Sequence, residues 1–162
     1  MSFASKILAG GYLPSEIVAQ HLITAPVNVE RIADRLGIRV VFEQLTDCAG
    51  KIEHDYAGYK ITVNAGDFPA RQRFTIAHEI GHYMLHRSLI GDGITDDVMY
   101  RSKLGGYHEA QANSYAAYIL MPPNLFKRKY REGITETVAL AALFGVSKMA
   151  AQIRIEELDL AR

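Results

Sequence analysis

Three scarcities narrow the field before any motif is considered. There is one cysteine, Cys48, so no intramolecular disulfide can form and nothing points to an oxidising compartment. There is no surplus of charge: eighteen basic residues meet eighteen acidic ones. A protein whose main partner is bulk nucleic acid or an anionic membrane needs an electrostatic excess, and this chain lacks it. Long apolar runs are missing too. None approaches the roughly eighteen residues of a membrane-spanning helix, and the N-terminus has no h-region or small-residue cleavage site of a signal peptide. The expectation is a cytoplasmic protein with no direct nucleic-acid or membrane contact.

What is present suits one domain with a possible small appendage. The chain has 162 residues, of which 49% are apolar and 22% charged, enough to bury a real core. Ile17, Val18, His21 and Leu22 fall at helical spacing over residues 14–24, with Pro14 fit for a first turn and Pro26 as the stop. Asn28 can cap a second helix that Gly37 ends. The period then becomes extended: 38–45, 50–55 and 57–64 read as three strands, with Tyr59, Ile61 and Val63 alternating against Gly58, Lys60 and Thr62. The fold class expected is α+β, with a small three-stranded antiparallel sheet packed against helices.

The densest chemistry lies in Arg71–His86, R-Q-R-F-T-I-A-H-E-I-G-H-Y-M-L-H. Asp67 and Pro69 mark the start of a helix that should run from about Phe68 to His86. Within it His78, Glu79 and His82 spell H-E-x-x-H. Two histidines at i and i+4 share a helix face, so each can give one nitrogen to a zinc ion, while Glu79 reaches toward a water on the metal. Packed core histidines, or a surface ion pair with Glu79, explain the same letters. Gly81 between the ligands weakens the helix, and the reason expected for it is close approach by a neighbouring element.

A catalytic zinc site needs a third protein ligand. Residues 108–121 form a second strongly helical run, ended by Pro122-Pro123, and Glu109 stands at its start. Asn113 follows one turn later on the same face. If Glu109 binds the metal, Asn113 can accept the second ring N–H of a ligand histidine and fix its tautomer. The plain alternative is a carboxylate stabilising a helix N-terminus. Tyr83, Tyr107, His108 and Arg73 are candidates for stabilising an oxyanion, and His86 is expected to be structural or peripheral.

Between these helices, 89–107 loses periodicity and carries Gly91, Gly93, Gly105 and Gly106 with Asp92, Asp96 and Asp97. It reads as a solvated loop or a lid over the metal, with room for a turn of helix around Asp96–Lys103. Lys127, Arg128, Lys129 and Arg131 read as a solvated helix end. The tail, 135–144 then Gly145-Val146-Ser147 and 147–158, has a helix-turn-helix-like pattern. From Ile134 onward, however, Lys148, Arg154 and Arg162 face Glu136, Glu156, Glu157 and Asp159, whereas a DNA reader should be basic. The domains expected are 1–132, carrying the metal site, and 133–162, a helical pair packed on it.

The combination R-x-x-F-T-x-A-H-E-x-G-H-Y-x-L-H with E-x-x-A-N-x-Y-A-A-x-x-L-M-P, here Arg71–His86 and Glu109–Pro122, resembles the ImmA/IrrE-type metallopeptidase family. The resemblance implies a zincin-like fold with Zn2+ held by His78, His82 and Glu109, and Glu79 as catalytic acid/base. It implies a zinc-dependent endopeptidase acting on a protein substrate such as a DNA-binding repressor. Two readings of other classes compete. One is a non-proteolytic zinc-containing module that binds a transcriptional regulator; the other is a transcription factor keeping a peptidase shape.

Overall fold

The computed structural model describes residues 11–90 and 98–161, the side chains of residues 98–105 excepted. Two short helices lead in. α1 (Pro14–Gln20) stops short of Thr24, because His21 Nδ1 turns back to donate to the Ile17 carbonyl at 2.7 Å. α2 (Val29–Arg35) is capped by Asn28, whose Oδ1 accepts from the Arg31 amide at 2.9 Å. Gly37, at φ 75°, lets the chain leave that helix in the left-handed region.

Three strands follow: β1 (Arg39–Glu43), β2 (Gly50–Asp55) and β3 (Gly58–Asn64), in the order β1-β3-β2. The α+β class and the three strands match the reading of the sequence, but the sheet is mixed rather than antiparallel. β2 and β3 form an antiparallel hairpin, whereas β1 runs parallel to β3, with Val40 opposite Ile61. The connection 44–49 makes this possible by crossing the end of β3. Asn64 holds it there, its Nδ2 donating to the Leu45 carbonyl at 3.0 Å and its amide to the Ala49 carbonyl at 2.8 Å. As the central strand, β3 buries Thr62 as well as Ile61 and Val63, since Val41 and Lys51 flank Thr62 in register.

α3 (Pro69–Leu85) is the hub. It packs on β2 and β3, on α2, and on α5 (Val98–Leu120). Ile76, Ala77 and Ile80 belong to the same buried core as Ile32, Ile61 and Ile119. Gly81 is where α5 comes closest: a Cβ there would lie 3.1 Å from the Ala112 carbonyl oxygen and 3.2 Å from its Cα. The expected close approach is therefore that of α5. Gly50 performs the same service for β2, because a Cβ would run into Thr75 Cγ2 on α3 and sit 2.7 Å from the Thr62 carbonyl oxygen.

Between the two long helices the expectation changes. α4 (Arg87–Ile90) adds one turn, and α5 starts at Val98, ten residues earlier than the sequence suggested. Residues 98–107 are thus helix throughout, more than the single turn that the sequence allowed around Asp96–Lys103. Gly105 and Gly106 lie inside that helix, and Gly106 has open space around it. The rest of the proposed lid, with Asp92, Asp96 and Asp97, lies outside the described residues.

After α5 come α6 (Pro123–Arg131), α7 (Thr137–Phe144) and α8 (Lys148–Glu157). The basic cluster on α6 is a solvated helix end, with Lys129 paired to Glu132 at 2.7 Å. Ser147 caps α8 as expected, accepting from the Ala150 amide at 3.1 Å. Two arginines tie these helices down. Arg154, buried, donates through Nε and Nη2 to the Met121 carbonyl at 3.0 and 2.8 Å, at the end of α5. Arg73 of α3 donates to the Gly145 and Phe144 carbonyls at 3.1 and 3.2 Å, at the end of α7. Both satisfy carbonyls that a helix C-terminus leaves without partners.

Candidate metal centre

The i, i+4 spacing on α3 puts His78 and His82 one above the other, both buried, with Nε2 atoms 3.1 Å apart. α5 brings Glu109 to the same point. Its two carboxylate oxygens lie 3.2 Å from His78 Nε2 and 3.2 Å from His82 Nε2. One ligand atom from each of these residues falls within 4.8 Å of the others, a grouping that could hold a metal ion. Because α5 begins at Val98, Glu109 is mid-helix and is not stabilising a helix N-terminus.

The surrounding hydrogen bonds decide which ring nitrogens carry protons. Asn113 Oδ1 lies 2.8 Å from His78 Nδ1. A carbonyl oxygen only accepts, so Nδ1 carries a proton and the neutral tautomer of His78 that fits this bond has its lone pair at Nε2. On the other side Gln111 Oε1 lies 2.9 Å from His86 Nε2, which must donate. Burial, the largest cause, pushes the His86 pKa down and keeps the ring neutral. His86 Nδ1 is then an acceptor, and His82 Nδ1, 3.0 Å away, is the donor. His82 Nε2 therefore also presents a lone pair.

Two imidazole lone pairs and a carboxylate thus face one another at 3.1–3.2 Å. Bare, they repel. A shared positive charge reconciles them, either a proton on an imidazole or a metal ion. With protons there, hydrogen bonds from His78 and then His82 hold the Glu109 carboxyl well below the usual carboxylate range, so Glu109 is anionic in either case. Ligands about 2.0–2.2 Å from a tetrahedral zinc lie about 3.4 Å from one another, close to the spacing seen. The donor set fits a metal.

Glu79 is buried beside His78 and lines a cavity of about 400 Å3 together with His78, Glu109, Asn113, Thr75 and Arg71. The oxyanion candidates named from sequence are elsewhere. Arg73 caps α7. Tyr83 packs edge-on against Tyr59 and beneath the Arg87 guanidinium. Tyr107 is exposed, and His108 stacks edge-on against His86. Among the described residues the cation that lines the cavity is Arg71, two positions from the arginine expected. Gln111 is not singled out by the sequence, and of the two roles expected for His86, structural or peripheral, it takes the structural one beside His82. The signal was there: His78, His82 and His86 recur every four residues along one face of α3.

Comparison with known proteins follows the same lines. The peptidase M78 family model, the IrrE N-terminal-like domain, matches residues 33–156. The chain belongs to this metallopeptidase family. The chain is 25% identical over 134 residues to the Metallopeptidase ImmA of Bacillus subtilis (strain 168), covering 81% of this chain and 76% of that protein. A solved Mycobacterium tuberculosis transcriptional regulator shares the fold, with a TM-score of 0.56 at 22% identity over 86% of this chain. The chain spans 41% of that regulator's length. No single described helix is long and apolar enough to cross a membrane.

Proposed function

We propose that this protein is a zinc-dependent endopeptidase in which His78, His82 and Glu109 hold the metal and Glu79 is the catalytic acid/base. The observation carrying this reading is the tautomer-fixed cluster: two buried imidazoles and a carboxylate pointing acceptor atoms at one another at 3.1–3.2 Å, open to a cavity that Glu79 also lines. Three protein ligands leave the further coordination position that a catalytic site needs. A zinc ion held there would supply Lewis acidity, which lowers the pKa of a bound water to about 7 and polarises a carbonyl.

The chain's own residues do the rest. Asn113, through His78, and the pair His86–Gln111, through His82, orient the two imidazoles and keep their Nε2 atoms unprotonated. Glu79 takes the proton of the attacking water and delivers it to the leaving amine. Arg71, at the cavity wall, supplies positive charge to the substrate backbone.

The substrate is a protein, and family membership supports a DNA-binding regulator such as a repressor. The ties from Arg154 to α5 and from Arg73 to α7 support a C-terminal helical pair, 133–162, packed on a metallopeptidase domain, 1–132. The balanced charge and single cysteine support a cytoplasmic location.

Metal analysis of purified wild type, Glu109→Ala and Glu79→Gln tests the site. Glu109→Ala should lose zinc. Glu79→Gln should keep it and lose cleavage of a regulator offered as substrate. Unchanged zinc in Glu109→Ala removes the third ligand. An unchanged cleavage rate in Glu79→Gln removes Glu79 as the acid/base, and no cleavage by the zinc-loaded wild type leaves the zinc-containing binding module as the reading to keep.

A further inference from the structure

A second cavity, of about 600 Å3, opens beside the metal centre and shares Arg71, Phe74 and Asn113 with the first. Its walls come from the start of α3, from α5 and from α8. Three large apolar side chains on it are left in water: Phe68 is 84% exposed, Met149 74% and Ile153 48%. Met149 and Ile153 are one turn apart and so share a face of α8. Its charged lining residues among those described are one of each sign, Arg71 at the junction with the metal cavity and Glu157, which is paired with Arg154 at 3.0 Å.

These facts bear on the helix-turn-helix-like tail. A DNA-reading helix presents basic and hydrogen-bonding groups to a groove lined with phosphate. α8 instead presents Met149 and Ile153 to a cavity that shares Arg71, Phe74 and Asn113 with the one at the metal centre. Grouped apolar side chains on a surface mark a binding face, and methionine suits one that must accept varied shapes. About 600 Å3 is room for several side chains, not one.

We propose that this groove docks the protein substrate: it takes an apolar segment of the substrate chain and lays the adjoining peptide across the metal centre. The occupant follows from continuity, since a chain seated between Met149, Ile153 and Phe68 must pass Arg71 and Phe74 to leave the groove on the side of Glu79. It follows also from charge, since a groove with no net charge does not select a polyanion. This rests on the peptidase reading, and the test is built so that the two can fail separately.

The test measures binding by full-length Glu79→Gln, with zinc, to two pools of fluorescein-labelled twelve-residue peptides. One pool carries a central block of Leu, Ile and Phe; the other carries Ser and Asn in that block. The apolar pool should bind at least about tenfold tighter, a difference of about 1.4 kcal/mol. Adding Met149→Glu with Ile153→Glu should abolish the difference at unchanged zinc content and circular dichroism. Val138→Glu, which alters another exposed apolar residue outside the groove, should preserve it. Equal binding of the two pools, or a preference that survives Met149→Glu/Ile153→Glu, overturns the proposal. A wild-type dimer that the same pair converts to monomer, or salt-dependent binding of a DNA duplex that the pair removes, also overturns it by assigning the face to another occupant. Selective binding without any cleavage by the wild type leaves the docking groove in place and sinks the peptidase reading alone.

Discussion

The pair α3–α5 and the pair α7–α8 are held together in opposite ways. In the first, small residues let two backbones nearly touch at Gly81 and Ala112, and the polar groups face inward: His78 meets Asn113, His86 meets Gln111, and Glu109 meets both ligand histidines. In the second, the contact is mainly apolar, through Leu140, Phe144, Ala151 and Ile155, with an exposed hydrogen bond from Thr137 Oγ1 to Gln152 Oε1 at 3.0 Å. Arginine hydrogen bonds at helix ends tie α7 to α3 and α8 to α5. Buried polar contacts of this kind fix geometry tightly, and a metal would complete the set by satisfying Glu109 Oε1, which has no hydrogen-bond partner of its own among the described residues. Apolar packing anchored at its ends fixes a platform and leaves the outer face of that platform free to carry Met149 and Ile153. The first arrangement suits a reaction centre; the second suits recognition.

The comparison can be broken by substitutions that should act on one pair and spare the other. The largest effect is expected for Glu79→Gln, a loss of about 10²–10⁴ in turnover with zinc content and unfolding midpoint unchanged. A parallel loss of zinc would mean that Glu79 supports the metal instead of the proton. Next comes Phe144→Ala, which removes a fully buried ring stacked on Phe126 at 4.9 Å. It should cost about 3–5 kcal/mol in a urea titration, while the folded fraction at low urea keeps its zinc affinity. A changed affinity would show that the helix pairs are coupled.

Asn113→Ala and Gln111→Ala should lower zinc affinity by about 10–100-fold in competition with a chelator. Asn113→Ala should have the larger effect, because Asn113 contacts a ligand ring directly and Gln111 acts through His86. The reverse order would remove the relay. The smallest effect, and the sharpest, belongs to Gly81→Ala. Alanine favours a helix by up to about 1 kcal/mol, but its Cβ must push Ala112 back by a few tenths of an ångström. Thermal stability should barely move while zinc affinity falls a few-fold. Unchanged affinity would show that the spacing of the helices does not set the site.

Much of the α3–α5 pair was legible because helical periodicity is local. The bounds of α3 fall within one residue of those read from Phe68 and His86, and the four-residue step from Glu109 to Asn113 placed the residue that meets His78. What could not be read depends on where distant segments meet. The parallel pairing of β1 follows from the crossing of 44–49 over β3, which strand periodicity does not encode. Gly105-Gly106 looked like a break, yet α5 runs through it. Arg73 and Arg71 are two residues apart, hence on different faces of α3, and only the position of α7 decides which one is taken up as a cap. Arg154 counts in the sequence only toward the charge balance of the tail, and its role as a cap depends on the end of α5 lying beside it.

One feature of α5 has a thermodynamic corollary. It carries Glu109, Gln111 and Asn113 together, while both histidine ligands ride on α3. A metal held by all three ligands is a cross-link between segments that neighbour each other only when folded, so it binds the native state and not the unfolded one. Such binding adds RT ln(1 + [L]/Kd), about 4 kcal/mol at a thousandfold excess over Kd, comparable to the whole stability of a small domain. Metal supply would then set how much of this protein stays folded, as well as how much of it can act.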